Sequence, residues 1–497
     1  MKRTKLLSFI LALLMIASVV LMACSAPKEQ GDANTPDNGD SEAIADDSGA
    51  AEPATEEKYE FPGNNYNGYK MRVIVPDHND WAMSTIMAEE ENGDPLNDAI
   101  YKRNKIVEDG LNVEIEEILV SGPESKAKKA IQANTDDYDV VFTDSSQAGI
   151  MASQGMYLNL YDIPGIDVER PYWNQKANAS VELLGKLYFT TSDANMITND
   201  AIWVLYYNKK IHQDLGMEDP YQLVRDGKWT IDKFYDMARA GAQDIDGDGA
   251  WTVNDRWGIS THNLGFLAFF ECQEEKLVEL NEQGEPYLVN PGDRFINAFI
   301  KAHNLMNAKE GVYLHAQGSY PGRTSDLDHA KKTFMADMSL FCSEVLSHAR
   351  VFREMTADFG LLPHPKHDEV QQNYYTFMID TIPAFGIPIT VADPERSGVF
   401  MDAFTAISAE TIIPAYYKIS LEGKFTRDED SIEMLDIIRE GCVFDLAVLF
   451  NWGGFYSTII NYGCGNEGTN PIGQFDKNRG KVEAAIEKTL DAYRSFE

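Results

Sequence analysis

Hydrophobic positions along this chain change their period several times, and each change marks an element. Tyr69-Lys70-Met71-Arg72-Val73-Ile74-Val75 comes after an Asn67-Gly68 pair and reads as a first strand leaving a tight turn. A helix is predicted from about Asp94 to Val107, with Pro95 in its first turn, where a missing N–H costs nothing. Val113 to Leu119 alternates like a strand, and a Lys/Ala-rich helix succeeds it near Glu124 to Ala133. Tyr138 to Thr143 reads as a buried strand ending in Asp144-Ser145-Ser146, residue types that cap helices. Strands alternating with helices predict a parallel α/β sheet. A second α/β set begins with the strand Ala201 to Asn208. Trp229-Thr230-Ile231 opens a helix, with Thr230 as N-cap and Ile231, Phe234, Tyr235 and Ala238 on one face. The apolar run Ile379 to Ile389, interrupted by Pro383, Gly386 and Pro388, reads as a crossing segment. A last helix spans about Lys481 to Phe496, with Val482, Ile486, Leu490 and Tyr493 on one stripe.

The N-terminal stretch has a different pattern. Lys2, Arg3 and Lys5 precede an almost wholly apolar run, Leu6 to Leu21, and small or apolar residues lead into Cys24. This is the layout of a secretory signal, and the run is short for a membrane-spanning helix. Leu21-Met22-Ala23-Cys24 resembles the bacterial lipoprotein signal. That resemblance implies cleavage before Cys24, acylation of its thiol by palmitate-type chains, and residence on the outer face of the cell membrane. Ser25 to Glu57 has no aromatic residue and almost nothing to bury, so it should stay disordered. Its roughly 33 residues give a root-mean-square reach of about 30 Å, enough for a tether.

The remaining chain, from Tyr59 to Glu497, is too long for one ordinary core and predicts two lobes. The signal occupies 1–23 and the tether 24–58. A first lobe over 59–200 is completed by about 388–430. A second lobe over 201–378 is completed by the helical part 431–497. The composition, 44% hydrophobic and 11% aromatic, fits a well-packed globular protein. Formal charge is −36, and it becomes −39 when Lys2, Arg3 and Lys5 leave with the signal. So acidic a body should be repelled by nucleic acid and by anionic lipid, which leaves the lipid as its hold on the membrane. The same acidity disfavours a polyanionic ligand, unless a local basic pocket evades it. Cys272, Cys342, Cys442 and Cys464 are widely spaced singles without zinc-ligand spacing; four cysteines outside the cell could form two disulfides, but Cys272 and Cys342 lie in apolar runs, and buried free thiols are the expectation.

Several stretches together resemble the extracellular solute-binding proteins of sugar-type ABC transporters. They are Asp139-Val140-Val141-Phe142 running to Gly155-Met156-Tyr157-Leu158-Asn159-Leu160; Leu205-Tyr206-Tyr207-Asn208-Lys209-Lys210, with Leu215-Gly216 and Gly227-Lys228-Trp229-Thr230; Phe359-Gly360-Leu361-Leu362-Pro363-His364-Pro365-Lys366; and Ser431 to Ile438, succeeded by Asn451-Trp452-Gly453-Gly454. The resemblance covers most of residues 60–460. It implies a two-lobe periplasmic-binding-protein-like fold of type II, closing on ligand in the cleft, a monomeric body, and ABC permease subunits as partners.

Candidate chemistry is of two kinds. Asp244-Ile245-Asp246-Gly247-Asp248-Gly249, continuing to Asp255, fits a calcium loop with Asp255 in the usual Glu position. Asp244, Asp246, Asp248 and Asp255 would offer carboxylate oxygens and Ala250 its carbonyl, so a structural calcium ion is expected. The second kind concerns sugars, which have apolar faces for aromatic rings and a hydroxyl rim for polar side chains. Trp452 and Tyr456 sit where the family often places a stacking aromatic. Asp144 and Ser145 lie just past a strand end, where open α/β sheets bind ligands. Asn263, Phe266 and Phe270 occupy a second-lobe stretch that often lines the cleft. Phe341 and Asp380 fall in comparable segments, and Trp81 lies beyond the first strand. Gly463-Cys464-Gly465-Asn466-Glu467-Gly468 matches G-x-G-x-x-G but lacks the strand and helix a dinucleotide site needs, and it is read as a loop. His364 and His367 are read as a solvated pair in a turn.

No HExxH, no GxSxG elbow and no phosphate-binding loop is present. Nothing in these motifs indicates catalysis. The sequence therefore predicts a lipid-anchored solute-binding protein that captures a carbohydrate for an importer. The rival readings are a lipid-anchored surface glycoside hydrolase and a peptide receptor.

Overall fold

Residues 58–252, 254–308, 311–314, 328–421, 429–465 and 470–496 are described by a computed structural model. The signal, Cys24 and nearly all of the tether lie outside the described residues. The strands in chain order are β1 (Tyr69–Pro76), β2 (Val113–Val120), β3 (Val140–Asp144), β4 (Trp203–Asn208), β5 (Trp257–Thr261), β6 (Val278–Leu280) and β7 (Pro286–Leu288). They continue with β8 (Val312–Leu314), β9 (Ser339–Val345), β10 (Phe359–Leu362), β11 (Thr376–Phe377), β12 (Pro383–Gly386) and β13 (Cys442–Val443).

Local chemistry explains the first sheet. Asn67 and Gly68 both adopt positive φ, 56° and 72°, and so turn the chain into β1. The helix Pro95–Leu111 begins where Asp94 accepts the Leu96 and Asn97 N–H groups, and it stops at Asn112 in the left-handed region. The strands lie in the order β12-β3-β1-β2. β1 pairs parallel with β2 and β3, and β12 returns antiparallel to β3 with Phe385 opposite Phe142. The long helix Pro394–Leu421 comes after β12 and packs against Pro95–Leu111.

The second sheet has the order β10-β4-β9-β5-β8. β5 is parallel to β8 and β9, whereas β4 is antiparallel to β9 and β10. Thr230 caps the helix Ile231–Gly241 by accepting from Lys233 N–H, and Ile231, Phe234 and Ala238 are buried as the periodicity predicts. Two segments cross between the sheets side by side. Antiparallel bridges join Thr190 to Phe385 and Ile202 to Met378.

The helical part 431–497 was expected to complete the second lobe, but it contacts both sheets' surroundings. Glu429–Glu440 packs on β10. Leu446–Phe450 packs on Ser145–Ala152 of the first lobe, where a Cβ on Gly149 would come within 2.8 Å of the Leu449 carbonyl. Phe455–Gly465 packs on Gly265–Glu271 and Asp293–Met306 of the second lobe. The last helix begins at Pro471, well before the expected Lys481, because Asn470 caps it by accepting from Gly473 N–H. Gly463 to Gly465 form the last turn of a helix rather than a loop, and residues 466–468 of that motif lie outside the described residues. His364 and His367 are buried, not solvated: His364 Nε2 lies 2.9 Å from Ser343 Oγ, and His367 Nδ1 lies 2.7 Å from Gln273 Oε1. Cys272, Cys342, Cys442 and Cys464 form no disulfide with one another.

Candidate ligand-binding cleft

Parallel strands bring chemistry to their carboxyl ends. At the end of β3, Asp144 takes the N-cap position of the helix Ser145–Ala152 but makes no side-chain cap bond. Its Oδ1 instead lies 2.7 Å from His78 Nε2, on the loop that leaves β1. Burial pulls the His78 pKa down, but the bond to Asp144 and its charge outweigh this and hold it above the ordinary value. Ser145 is buried and donates its hydroxyl to the Asp380 carbonyl at 2.9 Å. Tyr456 donates to Asp380 Oδ1 at 3.2 Å. Burial, then the nearby Asp144 charge, pushes the Asp380 carboxyl up to about 6. Asp144, Ser145, Asp380 and Tyr456 are thus one polar cluster, joined through His78 to Trp81, whose ring lies 5.6 Å from the imidazole.

Trp81 lines an open pocket of about 420 Å³. Its first-lobe wall includes Asp80, Trp81 and Met83; its second-lobe wall includes Lys331, Ser347, His348 and Arg350. Asp200, on the crossing segment, ties the walls together. Its buried carboxylate accepts both Arg350 guanidinium NH2 groups at 2.7 and 2.6 Å, the Tyr416 hydroxyl at 3.0 Å and the Met83 N–H at 3.0 Å. Behind His348 stands Glu344 of β9, 3.6 Å from His348 Nδ1 and from His262 Nε2. Burial pushes Glu344 up to about 8 and pulls His348 down to about 3. Asn263 is half-buried beside His262, where β5 ends.

The other expected cleft residues are elsewhere. Phe266 and Phe270 are fully buried and stack on each other against Phe299. Phe341 is buried on β9 against Trp229 and Phe234. Trp452 stacks on Phe450 at 4.6 Å and donates from Nε1 to Thr489 Oγ1 at 2.9 Å. Phe266, Phe270 and Phe341 are core because every residue of the helix and strand they occupy is buried, and Trp452 is core because Phe450 and the last helix cover it. Conversely, sequence reading passed over His78, Asp200, Lys331, Ser347, His348 and Arg350. One signal was available: Leu346 to Arg350 comes immediately after a strand, the position that singled out Asp144.

The acidic loop is closed at its base by paired backbone bonds between Gln243 and Arg256, 2.7 and 3.0 Å. One carboxylate oxygen each from Asp244, Asp246 and Asp255 lies within 4.8 Å of the others. Gly249 has φ 77°, which a side chain there would strain. This much fits a hard cation. Asp248 stands outside the group and accepts from Ala250 N–H, while buried Asp255 accepts from Ile245 and Thr252 N–H groups.

Residues 88–262 match the family of bacterial extracellular solute-binding proteins. No curated protein matches the chain. Solved structures share its fold. The ABC substrate-binding protein Lmo0181 from Listeria monocytogenes, in complex with cycloalternan, is 13% identical over 84% of this chain and 99% of its own, with a TM-score of 0.54. UgpB from Mycobacterium tuberculosis, in complex with glycerophosphocholine, is 16% identical over 79% and 96%, with a TM-score of 0.55. The maltose/maltodextrin-binding domain MalE from Bdellovibrio bacteriovorus, bound to maltotriose, is 12% identical over 84% and 100%, with a TM-score of 0.51. The fold is the two-lobe, type II periplasmic-binding-protein architecture, and both the matched family and these neighbours are binding proteins.

Proposed function

With this family match and this two-lobe fold as premise, we propose that the protein captures a carbohydrate outside the cell and delivers it to the permease subunits of an ABC importer. The observation that carries the reading is the Trp81 pocket. An aromatic ring from one lobe faces hydrogen-bonding side chains from the other, the pairing of surfaces a sugar presents. Capture and then lobe closure need no covalent step. Solved neighbours bound to cycloalternan and maltotriose support a sugar or oligosaccharide. The body acts as a monomer, held to the membrane by lipid on Cys24. Among the described residues no helix is long and apolar enough to cross a membrane. A calcium ion held by Asp244, Asp246 and Asp255, with Asp248 and Ala250 turning inward, clamps the 244–255 loop as a structural element. The protein is not an enzyme.

The glycoside hydrolase reading has one observation in its favour, the close carboxyl pair of Asp144 and Asp380, one of them pushed up to about 6. Calorimetry with a sugar found by thermal-shift screening decides between them. Trp81→Ala should weaken binding at least about fivefold, roughly 1 kcal/mol, while the variant still unfolds cooperatively. Steady hydrolysis of that sugar establishes the hydrolase, and failure of any carbohydrate in a broad panel to bind overturns the importer.

A further inference from the structure

The charge of the Trp81 pocket departs from that of the chain. Formal charge is −36 overall, yet the charged side chains that line this pocket are Lys331, Arg350 and only one carboxylate, Asp80. Both cations sit on the second-lobe wall. Their partners differ in kind. Asp200 has no exposed side-chain surface and meets Arg350 in two hydrogen bonds, so that pair presents a neutral face. Lys331, its side chain 14% exposed, is 2.8 Å from Asp328, whose side chain is 52% exposed, so water screens that attraction from the Asp328 side only. Asp328 occupies one side of the ammonium, which has three N–H donors in all. Ser347 also lines the pocket; it is 3% exposed, and among the described residues its hydroxyl has no hydrogen-bond partner. A buried donor left unmade is costly, and native sites keep few of them without a purpose.

We propose that the second-lobe wall of this pocket is an anion subsite, and that the captured carbohydrate carries one carboxylate or phosphate seated on Lys331 and Ser347. The inference rests on the reading of the pocket as the carbohydrate site. An anionic oxygen only accepts hydrogen bonds, and the ammonium and the hydroxyl both donate. A neutral sugar hydroxyl also donates, and needs no cation. The paired Arg350 closes one side of the subsite without adding to its charge. Asp80, on the opposite wall, disfavours a second negative group, which limits the ligand to a singly acidic end. The acidic body as a whole repels polyanions, so one charge at a local cationic wall is the form of acidity this protein admits.

The test is calorimetry on the intact protein with matched pairs. These are trisaccharides with a single terminal galacturonate, glucuronate or mannuronate residue against their carboxyl-reduced forms, and glucose 6-phosphate against glucose. In at least one pair the acidic member should bind about 10- to 100-fold tighter, the gain expected of a charge-assisted hydrogen bond. That advantage should shrink as salt rises and vanish in Lys331→Met, while binding of the neutral member changes less than about threefold. Ser347→Ala, a smaller change, should cut the same advantage if Lys331→Met fails to fold. Preference for a phosphate over a uronate identifies the anion within the proposal. Equal binding of both members in every pair, equal losses for both in Lys331→Met, or no binding by any acidic member overturns the anion subsite. Neutral sugars binding in the broad panel would then leave the importer reading standing.

Discussion

Trp81 and Trp452 are the same side chain put to opposite uses. Trp452 spends its ring on Phe450 and its N–H on Thr489, so every interaction it can make is internal. Trp81 is half-buried, rests on His78 and leaves a face on the pocket. Asp380 gives this scale its prediction. Its carboxyl titrates near 6 in the folded protein and near 3.8 when unfolded, so the folded state holds the proton more tightly. The stability this adds is fully present below about pH 4 and is lost as pH rises through about 6. Asp380→Asn cannot ionise, yet it keeps an acceptor for Tyr456. The variant should therefore be more stable than the wild type at pH 7, by at most about 3 kcal/mol, with the advantage fading below pH 4. Urea unfolding at pH 4 and pH 7 checks this, and an advantage independent of pH removes the titration as its cause.

At the scale of elements, the loop 244–255 behaves as a folded unit even before its chemistry is considered. Asp244 accepts the Gly247 and Gly249 N–H groups, and Asp255 takes three donors of its own loop. These bonds draw the carboxylates together, and their mutual repulsion is what a cation would relieve. Against one backbone bond from Asp248, desolvation and then the charges of Asp248, Asp255 and Asp244 leave the Asp246 carboxyl above its ordinary pKa. Calcium should therefore raise the melting temperature, because it binds the folded loop. Chelation should lower it, and Asp246→Ala should abolish the difference. Identical wild-type melting curves with calcium and with chelator would count against the site. The element scale also explains the Asp144 assignment. The strand β3 ends in a residue suited to capping, and the structure gives its side chain to His78 instead.

At the scale of the whole molecule, two sheets are joined by adjacent crossing segments, with Asp200 bonded to groups on both sides of the crossing. Anchorage belongs to this scale too. If the Cys24 thiol carries the lipid, Cys24→Ala should leave unprocessed precursor and abolish fatty-acid labelling. Labelling that persists in the variant excludes this anchor. A body at −36 has no electrostatic reason to rest on an anionic membrane, so the variant should be released from cells rather than stay surface-bound.

The sequence by itself determined whatever depends on neighbours along the chain. The Asn67-Gly68 turn, the Asp94 and Thr230 caps, the strands β1 to β4 and the spacing of the acidic loop all arise from residues within a few positions of one another. The strand end at Asp144 and the helix start at Ser145 are local features of the same kind. Which aromatic side chains are wet was decided only by tertiary structure. Phe266, Phe341 and Trp452 are buried by segments far away in the chain, and no local pattern states that a second layer will cover them. The same limit hid Lys331, Ser347 and Arg350. Their importance lies in facing Trp81 across a gap of about 250 residues of sequence, and such a meeting is set by how two sheets pack, not by the period of either one.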